Sequence, residues 1–555
     1  MATKNSVILS GNLTKQSIFM RRTILSFFFL CFFPFLYAQQ AGFDILLDSI
    51  TIPGLTGIQS FAVGQADGKW LIAGGRIDGL HRRQPFGAFD EEGQNTLLTV
   101  IDPILGKQWT AVLSSPALKE HLSATNAQFY QEKNFLYIMG GYGYSPSAGD
   151  HITYDMLTAI DVPNTIKAII NGSDYTGAIR QINDPQFAVC GGDLDKIYDT
   201  WYLVGGHKFN GRYNPMGPDH GPGFIQEYTN QIRKFRLMDD GKTIHIEHLP
   251  SITDSLNLHR RDYNVTAQIM PDRREGLTAF AGVFQTIADV PYMNSVEIDS
   301  SAYHVNTAFS QYYNHYHCAN LPLYDAVENN MHTIFFGGIA RYYDVAGELT
   351  QNNDVPFVKT IARVSRDKNG TLSEYKLKAD MPTFTGTGAE FIPAENLPVY
   401  PNGVIKLHEI STDTCLLGYI YGGISSTAPN IFWQNTGTES RASTTLYKVF
   451  LIKKPHGGSE VLNTQSTSNL KLQVFPNTTT GNMTIKFRMA STGICSLKID
   501  DIILQQAMIT THTESLPAGD QTLRFKIPNL DKGGLFRVIL ETPEGKASQN
   551  IVVEP

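Results

Sequence analysis

Cysteine is scarce in this chain. There are five in 555 residues, at positions 31, 190, 318, 415 and 495, and no two form a CxxC pair. A disulfide framework and a cysteine-based zinc motif are both excluded, and unpaired buried thiols are expected instead. Charge is sparse as well: 17% of residues are charged, the formal net charge is −7, and no basic run stands out. That balance argues against a nucleic-acid-binding stripe. No segment shows the 3.6-residue apolar period of a sustained helix. The local signatures GxSxG, HExxH and the P-loop are missing, and the acidic–glycine segments GGDLDK and DKNG lack the spacing of a calcium loop.

Only one long apolar run occurs. Arg21 and Arg22 precede TILSFFFLCFFPFLYA, which ends at Ala38. A run of about 15 residues behind two arginines, with a small residue at its end, reads as an export signal spanning residues 1–38. It is short for a membrane span, and Pro34 interrupts it. Met20 offers an alternative start. No later stretch is apolar enough to cross a bilayer, so a mature chain without a transmembrane helix is expected, exported to the cell surface or the medium.

What is abundant is glycine at the ends of short apolar strands. LYIMGG (136–141) recurs as WLIAGG (70–75), WYLVGG (201–206), TIFFGG (333–338) and GYIYGG (418–423). LTAFAG (277–282) is a weaker copy with Ala281 in place of the first glycine. A buried strand running into glycines suits a place where two backbones approach too closely for a Cβ. Six copies make a repeat, and each is preceded by one strand and followed by two more. In the second unit those two are read as MLTAIDV and TIKAII (165–170).

The sixth unit stops at TLYKVFLI (445–452), one strand short, while GFDILLDSITIP (42–53) is a strand with no unit of its own. Lending that strand to the last unit would hide an open sheet edge. The pattern therefore predicts an all-β fold of six four-stranded blades over residues 39–452. A polar linker (453–469) follows. Residues 470–555 then alternate as the strands of a small β-sandwich do.

The glycine pair after an apolar strand, together with Trp109, resembles the kelch (galactose-oxidase-like) superfamily of β-propellers, although these units average about 65 residues against about 50 for a typical kelch repeat. The tail resembles the C-terminal sorting domain of type IX secretion cargo, through VFPNTTTGNMTI (474–485), LPAGDQTLRF and GGLFRVILETPEGKASQNIVV; Thr478 stands where that family usually has a second proline. The resemblance implies the type IX secretion machinery as a partner of residues 470–555.

Short 3–4 turns and long 2–3 loops put recognition on one face. The loop residues His81, Arg82, Arg83, Tyr142, Tyr144, Tyr213, His220, Tyr342, Tyr343 and Trp433 suit a glycan or protein ligand. The sixth unit's 1–2 connection (393–414) is placed on the opposite face. At the entrances of the first strands, His315 and His317 share one side of an extended chain, and with Asp184 they are candidate metal ligands. Asp262, Arg260, Arg261 and Glu390 are candidates for general acid/base work. No cofactor is required by any motif. Two readings follow: a ligand-binding propeller, which the long loops favour, and a propeller enzyme acting on a carbohydrate. Related propellers imply a sugar isomerase or a metal-dependent oxidase for the second.

Overall fold

The computed structural model describes residues 41–555 except 218–220, 222, 287, 346–347, 455–469, 471, 476–477, 480–481, 502–505, 527–533, 544 and 554–555. The predicted export signal therefore lies outside the described residues, and so does nearly all of the linker.

In all six repeats the residue pair that ends the apolar strand lies in the left-handed region. The φ values run from 65° and 87° at Gly140 and Gly141 to 51° and 98° at Ala281 and Gly282. The close approach is real. A Cβ on Gly140 would sit 2.0 Å from the Val189 carbonyl oxygen, and one on Gly337 would sit 2.1 Å from that of Thr385. Both acceptors belong to the segment that enters the next sheet, so each glycine pair marks a sheet-to-sheet junction.

The chain is all-β, with two short α-helices among the described residues. Six antiparallel sheets follow in chain order. Sheet 1 comprises Ala62–Ala66, Lys69–Ala73, Leu97–Asp102 and Lys107–Val112. Sheet 2 comprises Gln128–Glu132, Phe135–Met139, Met156–Asp161 and Ile179–Asn183. Sheet 3 comprises Asp193–Ile197, Thr200–Val204, Gln231–Asp239 and Ile244–Thr253. Sheet 4 comprises Asn264–Ile269, Glu275–Phe280, Ser295–Ile298 and Tyr303–Asn306. Sheet 5 comprises Asn320–Asp325, Asn330–Phe336, Thr360–Arg366 and Leu372–Asp380, with the two-residue strand Ile405–Lys406 added in parallel beside the first. Sheet 6 comprises Ala389–Pro393, Thr414–Gly422, Leu446–Lys453 and, from the other end of the sequence, Phe43–Ile50.

That last pairing is antiparallel over its whole length, from Phe43 opposite Lys453 to Ile50 opposite Leu446. It seals the Leu446–Lys453 edge, as the strand count requires. First strands of consecutive sheets touch in order, and sheet 6 returns to sheet 1 where Phe61 packs edge-on against Tyr421 at 5.5 Å. The cores lie between neighbouring sheets. Leu71, Leu98 and Val100 of sheet 1 pack with Leu136 and Ile160 of sheet 2, for example.

One reading of the second unit is corrected. TIKAII is helical, within Val162–Asn171, and the fourth strand of sheet 2 is Ile179–Asn183. The capping residues override the β-branched content. Asp161 accepts from the Asn164 amide, Pro163 sits in the first turn, and Gly172 ends the helix at φ 65°. Val162, Ile166 and Ile169 are then buried in the core shared by sheets 1 and 2. The long loops after the glycine pairs also hold structure that was not foreseen. Four are two-stranded hairpins: Tyr142–Ser145 with Asp150–Thr153, His207–Gly211 with Phe224–Tyr228, Tyr342–Val345 with Glu348–Gln351, and Ile424–Ser426 with Ser440–Ala442.

The described part of residues 470–555 forms a three-stranded and a five-stranded sheet around a common core that includes Val474, Ile485, Phe487, Leu497 and Val538. Cys190, Cys318, Cys415 and Cys495 are all free, and only Cys415 is not buried.

Removing residues 42–50 would expose the donors and acceptors of Leu446–Lys453 and uncover Val449 and Leu451, both fully buried. Such a truncated protein is expected to unfold with a midpoint lower by about 10 °C or more, or to aggregate, as read by circular dichroism melting.

Candidate functional site

A residue one to three positions before the first strand of each sheet adopts positive φ: Ser60 (53°), Asn126 (52°), Gly191 (61°), Asp262 (50°), His317 (35°) and Gly388 (71°). These residues are tied to one another through the main chain. Asn126 donates to Ser60 O at 3.2 Å, Gly191 to Asn126 O at 3.1 Å and Asp262 to Gly191 O at 2.7 Å. Gly388 then donates to His317 O at 2.7 Å and Ser60 to Gly388 O at 2.8 Å. Five such bonds link the six residues of this ring, all in the same sense, from Asp262 round to His317. Left-handed backbone is what turns each N–H toward the preceding carbonyl.

The junction between sheets 4 and 5 is built differently. The glycine pair there is Ala281–Gly282, and Asn314, His315 and His317 all have positive φ. A side chain bridges the gap: Asn264 donates to His315 O at 2.6 Å and accepts from the Cys318 amide at 3.1 Å. Chemistry-bearing groups collect beside it. Tyr316 Oη donates to Asp262 Oδ2 at 3.0 Å, and Arg261 Nε lies 3.2 Å from the same oxygen. Arg261 also donates to Tyr228 Oη at 2.7 Å and stands over the Phe284 ring at 5.1 Å. Tyr228 stacks on His259 with centroids 3.7 Å apart. Burial, together with Asp262, raises the Tyr316 phenol well above its usual range, so it stays a donor. Burial lowers the His317 imidazole, with Asp262 opposing, and keeps His207 neutral.

Two residues inward from the ring come Gln128, Asp193, Asn264 and Glu390. Asp193 accepts from the Val265 amide at 3.1 Å. Asp193 and Glu390 are half-buried; burial lifts Asp193 to about 7 and, with Asp193 adding repulsion, Glu390 to about 8. Asp195, two residues further in, is raised by burial too. At the far ends of the first strands, residues 393–414 cross from sheet to sheet. Glu395 accepts from the Gly68 amide in sheet 1, Asn402 donates to Gln268 O at 3.1 Å in sheet 4, and Ile405–Lys406 pairs in parallel with Leu323 and Tyr324 of sheet 5.

Of the acid/base candidates, Arg261, Asp262 and Glu390 lie on or just inside the ring. Arg260 does not. It is 1% exposed, stacks on Tyr292 at 4.1 Å and spends its guanidinium on Asn257 O, Ala281 O and Asn294. The candidate metal set does not converge. His315 and His317 are not in extended backbone, so two-residue spacing does not put them on one side. His315 stacks on Phe335 and bonds Gly337 O at 2.8 Å, while Asp184 is 2.6 Å from His248 on the outermost strand of sheet 3. Among the described residues no three metal-ligating side chains cluster.

The long-loop candidates fall into three groups. His81 lies against Tyr213 at 4.8 Å and Phe89 at 6.0 Å, with its imidazole lowered to about 4 by burial and its Nδ1 without a partner. Tyr142 is buried beneath them and donates to Gly211 O at 2.8 Å, which makes it a packing residue; Tyr144 is half-buried against His151. Arg83 stands over the exposed Trp433 ring at 5.6 Å, and Arg82 pairs loosely with Asp90 at 3.7 Å. Tyr342 meets Tyr312 edge-on at 5.3 Å, Tyr343 is half-buried in the same hairpin, and His220 lies outside the described residues. Sequence reasoning assigned no role to Tyr228, Tyr316 or Asp193. The degraded glycine pair LTAFAG was the signal that this junction differs from the rest.

No protein-family model and no curated protein matches the chain. Among solved structures it is similar to one described as the structure of YjhT, which covers 73% of this chain and 99% of that one, at 9% identity and a TM-score of 0.39. That likeness is too distant to carry an argument about function.

A carboxyl whose folded pKa is raised contributes stability that is complete below its unfolded value and is lost as pH rises through the folded one. For Glu390 the window runs from the ordinary glutamate range to about 8. The melting midpoint of the native protein is expected to fall over that interval, and Glu390→Gln should flatten the fall in a calorimetric pH series.

Proposed function

We propose that residues 39–452 form a closed six-bladed kelch-like β-propeller that binds a glycan on its long-loop face, centred on the ring of first-strand entrances. Support for closure comes from six consecutive sheets of four antiparallel strands, the fifth extended by Ile405–Lys406, from the pairing of Phe43–Ile50 with Leu446–Lys453, and from the run of entrance amides. The observation that carries the ligand reading is the Arg261–Asp262–Tyr316 constellation at the irregular junction, with the Tyr228 hydroxyl beside it. Hydroxyls, a carboxylate and a guanidinium on aromatic walls match the alternating polar edges and apolar faces of a sugar. Residues 1–38 and 470–555 serve as export signal and type IX sorting domain in this reading.

Glycan-array binding followed by calorimetry tests the site. Asp262→Asn and Tyr316→Phe should each weaken binding by about 10- to 100-fold, the loss expected for a charge-assisted hydrogen bond. Unchanged affinity in both variants would sink the assignment. Glu390, with a carboxyl near 8, and the neighbouring Asp193 favour one second reading, acid/base turnover of a reducing sugar at the same place. Anomer or isomer exchange followed by proton NMR, present in the native protein and absent in Glu390→Gln, would select it.

Deleting residues 470–555 should leave the protein in the periplasm, as followed by cell fractionation. Normal appearance outside the cell would refute the sorting role.

A further inference from the structure

A cavity lies away from the ring, at the outer part of sheet 5. It has a volume of about 520 Å³, and its walls include Ser310, Tyr312, Tyr313, Ser373, Glu374 and Lys376. The segment between sheets 4 and 5 is anchored over the fourth strand of sheet 5 by Glu374. One carboxyl oxygen, Oε2, accepts from the amides of Tyr312 at 2.7 Å and Tyr313 at 3.3 Å. The other, Oε1, is shielded from water and has no hydrogen-bond partner. A buried polar atom with an unmet bond is costly, and it is a good place to look for a missing ligand group. Glu374 is itself one of the residues that line the cavity.

The surrounding groups narrow the ligand. Tyr312 is 42% exposed and is held edge-on to Tyr342, which leaves ring surface open to solvent. Lys376 is engaged by Asp380 at 3.3 Å, so the cavity presents no free ammonium to an anion. Burial lifts the Glu374 carboxyl to about 8, and it faces the half-buried Tyr313 phenol, itself pushed up to about 12 by burial and by Glu374. A cationic amine would need the ionised carboxylate. A hydroxyl can donate to it or accept from it, and so fits either protonation state.

We propose that this cavity is a second carbohydrate subsite, taking one or two neutral sugar rings, with Tyr312 as the stacking platform and Glu374 Oε1 as the hydroxyl partner. The volume suits that size, and the two serine hydroxyls supply further partners. The assignment stands independently of the ring site, because no residue is shared between them.

The test uses the full chain and saturation-transfer NMR, with methyl glycosides of glucose, galactose, mannose and N-acetylglucosamine as probes at up to about 50 mM, a range suited to a single-sugar site. Tyr312→Ala, which removes a largely exposed ring, and Glu374→Gln, which keeps the amide-accepting oxygen, should each weaken binding of one of these sugars at least tenfold. Melting curves check that each variant is folded. Three outcomes would overturn the proposal. No saturable binding of any probe removes the subsite. Binding lost only in Asp262→Asn moves the sugar to the ring. Saturable binding of methylammonium but of no glycoside, lost in Glu374→Gln, makes the site a cation receptor.

Discussion

A carbonyl oxygen and a missing methyl group decide how this chain packs. Wherever an apolar strand ends, the next sheet's entrance segment lies so close that Gly140 or Gly337 cannot be replaced even by alanine without displacing main chain. The contact is also a hydrogen bond: Gly141 donates to Val189 O at 2.8 Å and Gly206 to Arg260 O at 2.8 Å. Because each sheet is fastened to the start of its successor, first strands are drawn together at one end. The ring of left-handed entrance residues follows from that fastening. Side chains then diverge outward into the cores between sheets.

The same constraint explains where the chemistry sits. At five junctions a main-chain bond runs from one entrance residue to the next. The sixth, between sheets 4 and 5, substitutes Ala281 for glycine and lets Asn264 carry the bonds that backbone carries elsewhere. Larger side chains collect beside it. Arg261, Asp262, Tyr316 and Tyr228 occupy the space, in contact with one another. A local departure from a repeat that is otherwise obeyed is a physical marker of a site.

Much of the architecture was legible because strand period and glycine position are local signals. The six units, the orphan strand 43–50 and the short 3–4 turns all follow from them. Where local signals compete, the reading failed: TIKAII has strand-like residues, yet Asp161, Pro163 and Gly172 bracket a helix. The site was only half legible. Asp262, Arg261 and Glu390 were reachable because they sit at strand entrances. Tyr228 and Tyr316 join them only through tertiary packing of a hairpin from sheet 3 and an entrance from sheet 5. The His315–His317 pairing misled because the spacing argument assumes extended backbone, and the positive φ of both residues removes that assumption.

The crossing made by residues 393–414 has a consequence for how the sheets come apart. It belongs to sheet 6 yet bonds to sheets 1, 4 and 5, so it fastens together sheets that are not all neighbours in chain order. Loosening any one of them pulls on the strap that holds the others, and the four are expected to unravel together rather than one at a time.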